Sequence, residues 1–161
     1  MRQLSFLFIT TILLCCSCSK KKDDKPDEPK NPVANSVTIN TLNFNTVLNN
    51  IGVRPVIRIR FSQPLMQSSV TSAISFKDPG NNSVSFTTTL QNADSVLVIQ
   101  PSAPLNYLSE YNLSISNALK STSNGSLPGR IDRSFTTTID SSRKFPLISD
   151  EAPVLDRKSV V

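Results

Sequence analysis

Chemistry in this chain would have to rest on carboxylates. The 161 residues contain no histidine, so neither a Ser-His-Asp nor a Cys-His nucleophile can be assembled, and the commonest transition-metal ligand is missing. Between residues 36 and 140 the acids are Asp78, Asp94, Glu110, Asp132 and Asp140. Glycosidase-type catalysis needs two positioned carboxyl groups about 5–10 Å apart, one with its pKa raised by burial. Three of the five acids fall at expected turns or strand ends, and only Asp132 and Asp140 stand within ten residues of each other. Asp78-Pro79-Gly80-Asn81-Asn82 offers one carboxylate and two amides, fewer convergent oxygens than calcium wants, and reads as a hairpin turn. The expectation is a protein that is not an enzyme, with no cofactor and no metal site.

Charge gives no partner either. The formal net charge is +5, but a basic balance points to nucleic acid only where the charges cluster. Within residues 36–140 seven Lys and Arg face five acids, a net of +2. Arg58 and Arg60 share one strand face, yet no aromatic residues interleave with them as a base-stacking platform would require. A solvated face is expected there, and no nucleic-acid partner.

All three cysteines, Cys15, Cys16 and Cys18, lie at the end of an apolar run that opens with Met1-Arg2 and extends over residues 4–14. One early positive charge, a short apolar stretch and small residues at its end have the anatomy of a secretory signal. The run is shorter than the roughly 20 apolar residues of a membrane span, and three lysines come soon after it. Residues 19–161 contain no cysteine, so the exported part has no disulfide. The junction looks like a bacterial lipoprotein signal, cut before a cysteine that then carries lipid. Cys18, preceded by Ser17, fits best, and Cys16 is the alternative. A membrane partner through that lipid is implied.

Residues 19–32, from Ser19-Lys20-Lys21-Lys22-Asp23-Asp24 to Pro32, hold almost nothing apolar to bury and read as an extended tether. This opening resembles that of Bacteroidetes lipoproteins, in which a Lys-Asp-rich stretch after the lipidated cysteine accompanies delivery to the outer face of the outer membrane. The resemblance implies an outer-membrane, cell-surface location. It divides the chain into a signal peptide at 1–17, a lipidated cysteine and tether at 18–34, a domain at 35–140 and a tail at 141–161.

Over the domain, isolated Val, Ile, Leu and Phe are set among Ser, Thr and Asn, with no sustained helical period. Ile57, Ile59 and Phe61 alternate with Arg58 and Arg60, Val84 and Phe86 with serines, and Tyr111, Leu113 and Ile115 with Asn112 and Ser114. Period-2 alternation marks half-buried strands. Further strands are expected over 37–44, 73–77, 95–100 and 130–138. The breakers between them are Gln63-Pro64, the Asp78 turn, Pro101-Ser102-Ala103-Pro104 and Asn124-Gly125, where Gly80 and the asparagines can supply positive φ. About seven short strands at this spacing predict an all-β, immunoglobulin-like sandwich. Its core, without tryptophan or disulfide, falls to Phe44, Phe76, Phe135 and the alternating residues above, Val84 and Phe86 included. Tyr111, opening the sixth strand after Pro104-Leu105-Asn106-Tyr107, is placed for a tyrosine corner, its hydroxyl bonding to upstream backbone.

These motifs resemble the bacterial Ig-like domain named after the S-layer protein SbsA. The resemblance rests on Phe61-Ser62-Gln63-Pro64-Leu65, a helical turn at 68–72, Asp78-Pro79-Gly80-Asn81, Pro101 to Leu105 ahead of Tyr111, and Phe135-Thr136-Thr137. It covers residues 35–139 and implies a spacer or weak binding module without catalysis, whose partner would be a glycan or a surface protein. Recognition would fall to the loops 45–54, 62–71 and 119–128, which contain neither Trp nor Tyr, so little affinity is expected. Asp94-Ser95-Val96 resembles the short sequence at which Bacteroidetes attach O-linked glycans, making Ser95 a candidate for O-glycosylation. The tail, Lys144-Phe145-Pro146-Leu147-Ile148-Ser149-Asp150-Glu151-Ala152, resembles the junction to a glucoamylase-like glycoside hydrolase domain. Pro153 comes next, where a helix interior would lose about 3 kcal/mol or more. The alternative reading is therefore the truncated N-terminal part of a surface glycan hydrolase.

Overall fold

The computed structural model describes residues 28–45 and 47–142. Nine strands are present among them: β1 (Ala34–Ile39), β2 (Leu42–Asn43), β3 (Leu48–Ile51), β4 (Ile57–Phe61), β5 (Ile74–Lys77), β6 (Phe86–Gln91), β7 (Val96–Pro101), β8 (Glu110–Ile115) and β9 (Ile131–Thr137). One helix, α1 (Gln67–Ala73), joins β4 to β5. The strands form two sheets, ordered β2-β1-β4-β7-β6 and β3-β9-β8-β5, which together make the expected sandwich. Every pairing is antiparallel except that of β3 with β9.

Alternation gives each sheet one buried face. Ile57, Ile59 and Phe61 of β4 are buried while Arg58 and Arg60 are exposed, and β8 buries Tyr111, Leu113 and Ile115. Four aromatic rings fill the centre in place of a disulfide and tryptophan. Phe135 meets Phe44 edge-on at 6.0 Å between centroids, stacks on Tyr111 at 5.7 Å and lies 6.2 Å from Phe76. Such pairs add about 0.5–1.5 kcal/mol each beyond the area they bury.

The strand expected over 37–44 is instead a hairpin. Asn40 turns with φ of 53°, donates its N–H to the Val56 carbonyl and accepts the Val56 N–H on its side-chain oxygen. The chain folds back, and Phe44, whose N–H bonds to Val37 O at 2.8 Å, drops into the core. The alternation at Val84 and Phe86 marks a crossing between sheets. Val84 N–H bonds to Phe76 of β5, Ser85 accepts from Ser102 just past β7, and the ladder of β6 begins only at Phe86. Val84 and Phe86 are accordingly half-buried rather than central.

Positive φ falls to five asparagines, Asn40, Asn50, Asn81, Asn92 and Asn124, and to Ala93, Asp94 and Leu108; no described glycine adopts it. Gly80 therefore does not supply the left-handed position of its turn; Asn81 does. Gly125 is required for a different reason: a Cβ there would collide with the backbone of Lys30. Lys30 is held by Ser121 Oγ, which donates to its carbonyl at 2.7 Å, and by Ser123 Oγ, which accepts its N–H. Val33 pairs reciprocally with Ser62. Hydrogen bonding to the sandwich thus begins at Lys30, inside the stretch 18–34 expected to be tether.

Strand directions separate the ends of the domain. Lys30 and Val33 join it at the pole formed by Ser62, Ser121 and Gly125. The last strand, β9, ends at the other pole, where Thr138 N–H bonds to Ile51 O and Thr138 O accepts from Leu108. A six-residue strand such as β1 or β8 spans about 20 Å, which sets the scale of the separation.

Candidate functional site

The pole at which β9 ends is built around the segment linking β7 to β8. Tyr111 Oη accepts the Asn106 N–H at 2.9 Å, forming the expected tyrosine corner. Thr137, buried on β9, donates its hydroxyl to Asn106 O at 2.6 Å and accepts the Ser109 N–H at 3.0 Å. With both sides of Asn106 held, the next two residues face outward. Leu108 takes φ of 50° and is 67% exposed, although a left-handed conformation costs a non-glycine residue about 1–3 kcal/mol. Its N–H bond to Thr138 O at 3.1 Å keeps it there. Leu105, Tyr107, Leu108 and Ile139 line a cleft of about 580 Å³. Six large apolar side chains among the described residues are exposed, and three of them, Tyr107, Leu108 and Ile139, meet in this cleft. A concentration of that kind marks a docking surface more often than scattered exposure does.

The carboxylates of Asp78 and Asp132 are tied into local structure. Asp78 accepts the Asn82 N–H at 2.8 Å and the Asn82 side-chain amide at 3.1 Å, closing its turn. These bonds hold its carboxyl below the ordinary aspartate range. On the outer face of β8 and β9, Ser114 Oγ donates to Asp132 Oδ1 at 2.6 Å. A serine bonded to a carboxylate could begin a proton relay, but Arg130 occupies both partners. Its Nε donates to the same oxygen at 2.7 Å and its Nη2 to Ser114 Oγ at 2.8 Å. The Ser114 hydrogen bond, seconded by Arg130, lowers the Asp132 pKa, making it a poorer proton acceptor. Arg130 and Asp132 are well exposed, so their ion pair adds about 1 kcal/mol at most. A general acid needs the opposite shift.

Other sequence-derived candidates do not converge. Ser95 closes the turn between β6 and β7, where Asn92, Ala93 and Asp94 all have positive φ. It is half-buried, and its hydroxyl donates to Asn92 O at 2.7 Å. Arg58 and Arg60 stand exposed across from Val98 and Val96. The three loops expected to carry recognition largely carry core: Ile51 belongs to β3, Leu65 and Val70 flank or form α1, and Leu119 and Leu127 are buried. They are also split between the poles. Cys16 and Cys18 lie outside the described residues.

The apolar cleft was not anticipated. Tyr107 and Leu108 are adjacent rather than alternating, and only the pairing Tyr107-Leu108 after a proline hints at exposure.

A family model for the bacterial Ig-like domain matches residues 28–137. The chain belongs to that family. The match opens close to Lys30 and ends with β9, so the segment docked ahead of β1 is part of the matched domain. No curated protein matches this bacterial Ig-like domain in sequence. Among solved structures, native alpha-2-macroglobulin from Escherichia coli is similar at 15% identity and a TM-score of 0.50, over 69% of this chain and 6% of that one. A structure of its domains MG0-NIE-MG1 gives the same identity and TM-score over 33% of its length. The S-layer protein rSbsC(31-844) is similar at 13% identity and a TM-score of 0.45, over 68% of this chain and 14% of that one. The chain therefore spans a small part of each of these proteins, and likeness at such identities concerns the fold alone.

Proposed function

We propose that this bacterial Ig-like domain, of the SbsA type, is a non-catalytic spacer in a cell-surface lipoprotein. The observation that carries the reading is the placement of the chain's two crossings at opposite poles. Lys30 and Val33 attach at one pole, while β9 ends at the other. A module strung this way holds the chain beyond β9 at a distance from the chain ahead of Lys30. Membership of the bacterial Ig-like family supports a non-catalytic role, as do carboxylates whose shifts run against acid catalysis.

In this reading the lipid on Cys18, with Cys16 as the alternative, anchors the chain in the outer membrane, and residues 18–29 carry the domain clear of the surface. Any glycan or surface-protein partner is bound weakly, and Ser95 is a site of glycan attachment. Anchoring is tested by Cys18→Ala. The parent protein should sediment with membranes, incorporate labelled palmitate and be removed by protease from intact cells. The variant should lose both membrane association and label. Retention of both would assign the anchor elsewhere, and protease resistance of the parent would place the protein on the periplasmic face.

A further inference from the structure

Each sheet of the sandwich has two edges, and among the described residues three of these four edges are interrupted. Strand β2 is two residues long, β3 pairs irregularly and turns left-handed at Asn50, and β5 is met along its free side by Ser83 and Val84, whose N–H bonds to Phe76 O. Strand β6 is different. Its six residues, Phe86–Gln91, run in unbroken register with β7 and carry no proline, no positive φ and no charge. The nearest charged residues along the chain are Asp78 and Asp94. Helix α1 lies beside β6 but makes no hydrogen bond to it among the described residues. Lysines, prolines and bulges are the usual means of keeping an edge from pairing, and β6 has none of them.

Pro101 decides which way the backbone groups of β6 point. It stands opposite Phe86 and has no N–H, so that pair cannot exchange hydrogen bonds; the flanking Ser102 N–H bonds to Ser85 O at 2.9 Å instead. Bonded and unbonded pairs alternate along an antiparallel ladder. Thr87, Thr89 and Gln91 therefore bond to β7, while Phe86, Thr88 and Leu90 turn their N–H and C=O groups away from the sheet. We infer that β6 is a self-pairing edge, joining two copies of this chain antiparallel about a two-fold axis at Thr88. In that register Thr88 faces its own copy and Phe86 faces Leu90, so every outward N–H and C=O of both strands gains a partner. The side chains match as well. Phe86 and Leu90, half-buried against the core, close over each other where the two cores meet, and Thr87 opposes Thr89 on the outer face. Identical copies set like charges against each other, which destabilises a strand pair, so an uncharged strand is what self-pairing requires. The proposal goes beyond the spacer reading and stands whether or not the protein is lipid-anchored.

A single strand pair covers less than the roughly 1,600 Å² of a standard interface, so the dimer should be weak and concentration-dependent. The core is closed by residues from Val37 to Phe135, so residues 19–161 can be purified without the apolar leader. Sedimentation velocity on this chain, up to about 1 mM, should show the mass rising from one copy towards two. Over the same range amide exchange should slow at Phe86, Thr88 and Leu90 and stay constant at Thr87, Thr89 and Gln91. Thr88→Pro removes the central donor, which β7 does not use, so this variant should fold and remain monomeric. Thr87→Lys with Thr89→Lys alters only exposed side chains and sets lysine against lysine across the axis. Dimerisation should weaken roughly tenfold, and Thr87→Lys with Thr89→Glu should restore it. A parent that stays monomeric at every concentration would overturn the proposal, as would a double-lysine variant that dimerises like the parent. A dimer in which no β6 amide gains protection would overturn it too, by placing the contact on another surface.

Discussion

The Tyr111 hydroxyl reaches back five residues to take the Asn106 N–H at 2.9 Å, and so ties β8 to the segment that precedes it. The phenol ring is at the same time stacked on Phe135. Replacing Tyr111 by Phe keeps the stacking and removes only the acceptor. A net hydrogen bond contributes about 0.5–1.5 kcal/mol, and Asn106 is exposed, so water can take up its freed N–H. Tyr111→Phe should therefore lower unfolding stability by about 0.5–1.5 kcal/mol in urea titration with an unchanged m-value. An unchanged midpoint would show that the corner contributes nothing.

Gly125 tests whether residues ahead of β1 belong to the domain. Its φ is not positive, so alanine meets no left-handed backbone strain there, and the nearest obstacle to a Cβ is the backbone of Lys30 and Asn31. In residues 19–161, Gly125→Ala should lower the melting temperature. In a chain starting at Val33, where Lys30 is gone, the same substitution should be neutral or raise stability by about 0.4–1 kcal/mol through the unfolded state. The same loss in both chains would contradict the docking of Lys30.

The strand and tyrosine-corner expectations show where the sequence was readable. Ile57, Ile59 and Phe61, like Tyr111, Leu113 and Ile115, are legible because each strand buries one face. The hairpin at Asn40 is harder to read: Val37 and Ile39 alternate, as do Leu42 and Phe44, and only the three-residue step from Ile39 to Leu42, where Asn40 turns, breaks the phase between them. Strand β3 is illegible for another reason: Leu48-Asn49-Asn50-Ile51 pairs with β9 in parallel across an irregularity, with φ of 61° at Asn50. The cleft was hidden most deeply. Exposure of Leu108 depends on hydrogen bonds to Thr137 and Thr138, about thirty residues away, and no local pattern encodes them.

Acid should destabilise the domain through Asp78, in its turn, and Asp132, on β9. Asp78 and Asp132 have folded pKa values below the ordinary 3.8, so the unfolded chain binds protons first. Their contribution is complete above that value and is lost as pH falls through it toward the lower folded values. The melting temperature should hold from pH 7 to 5 and drop below pH 4. A variant with Asp78→Asn and Asp132→Asn should begin lower and vary less with pH. A slope identical to that of the parent would show that other groups govern acid unfolding.

The central claim, that the domain spaces rather than binds or cuts, is tested most directly by offering it substrates. Residues 19–161 would be titrated calorimetrically with soluble glucans and with surface and matrix proteins, and the same mixtures assayed for released reducing sugar. The predicted result is no turnover and no dissociation constant below about 1 mM, an affinity of roughly 4 kcal/mol. Micromolar binding of any of them, or measurable hydrolysis of a glucan, would contradict the account.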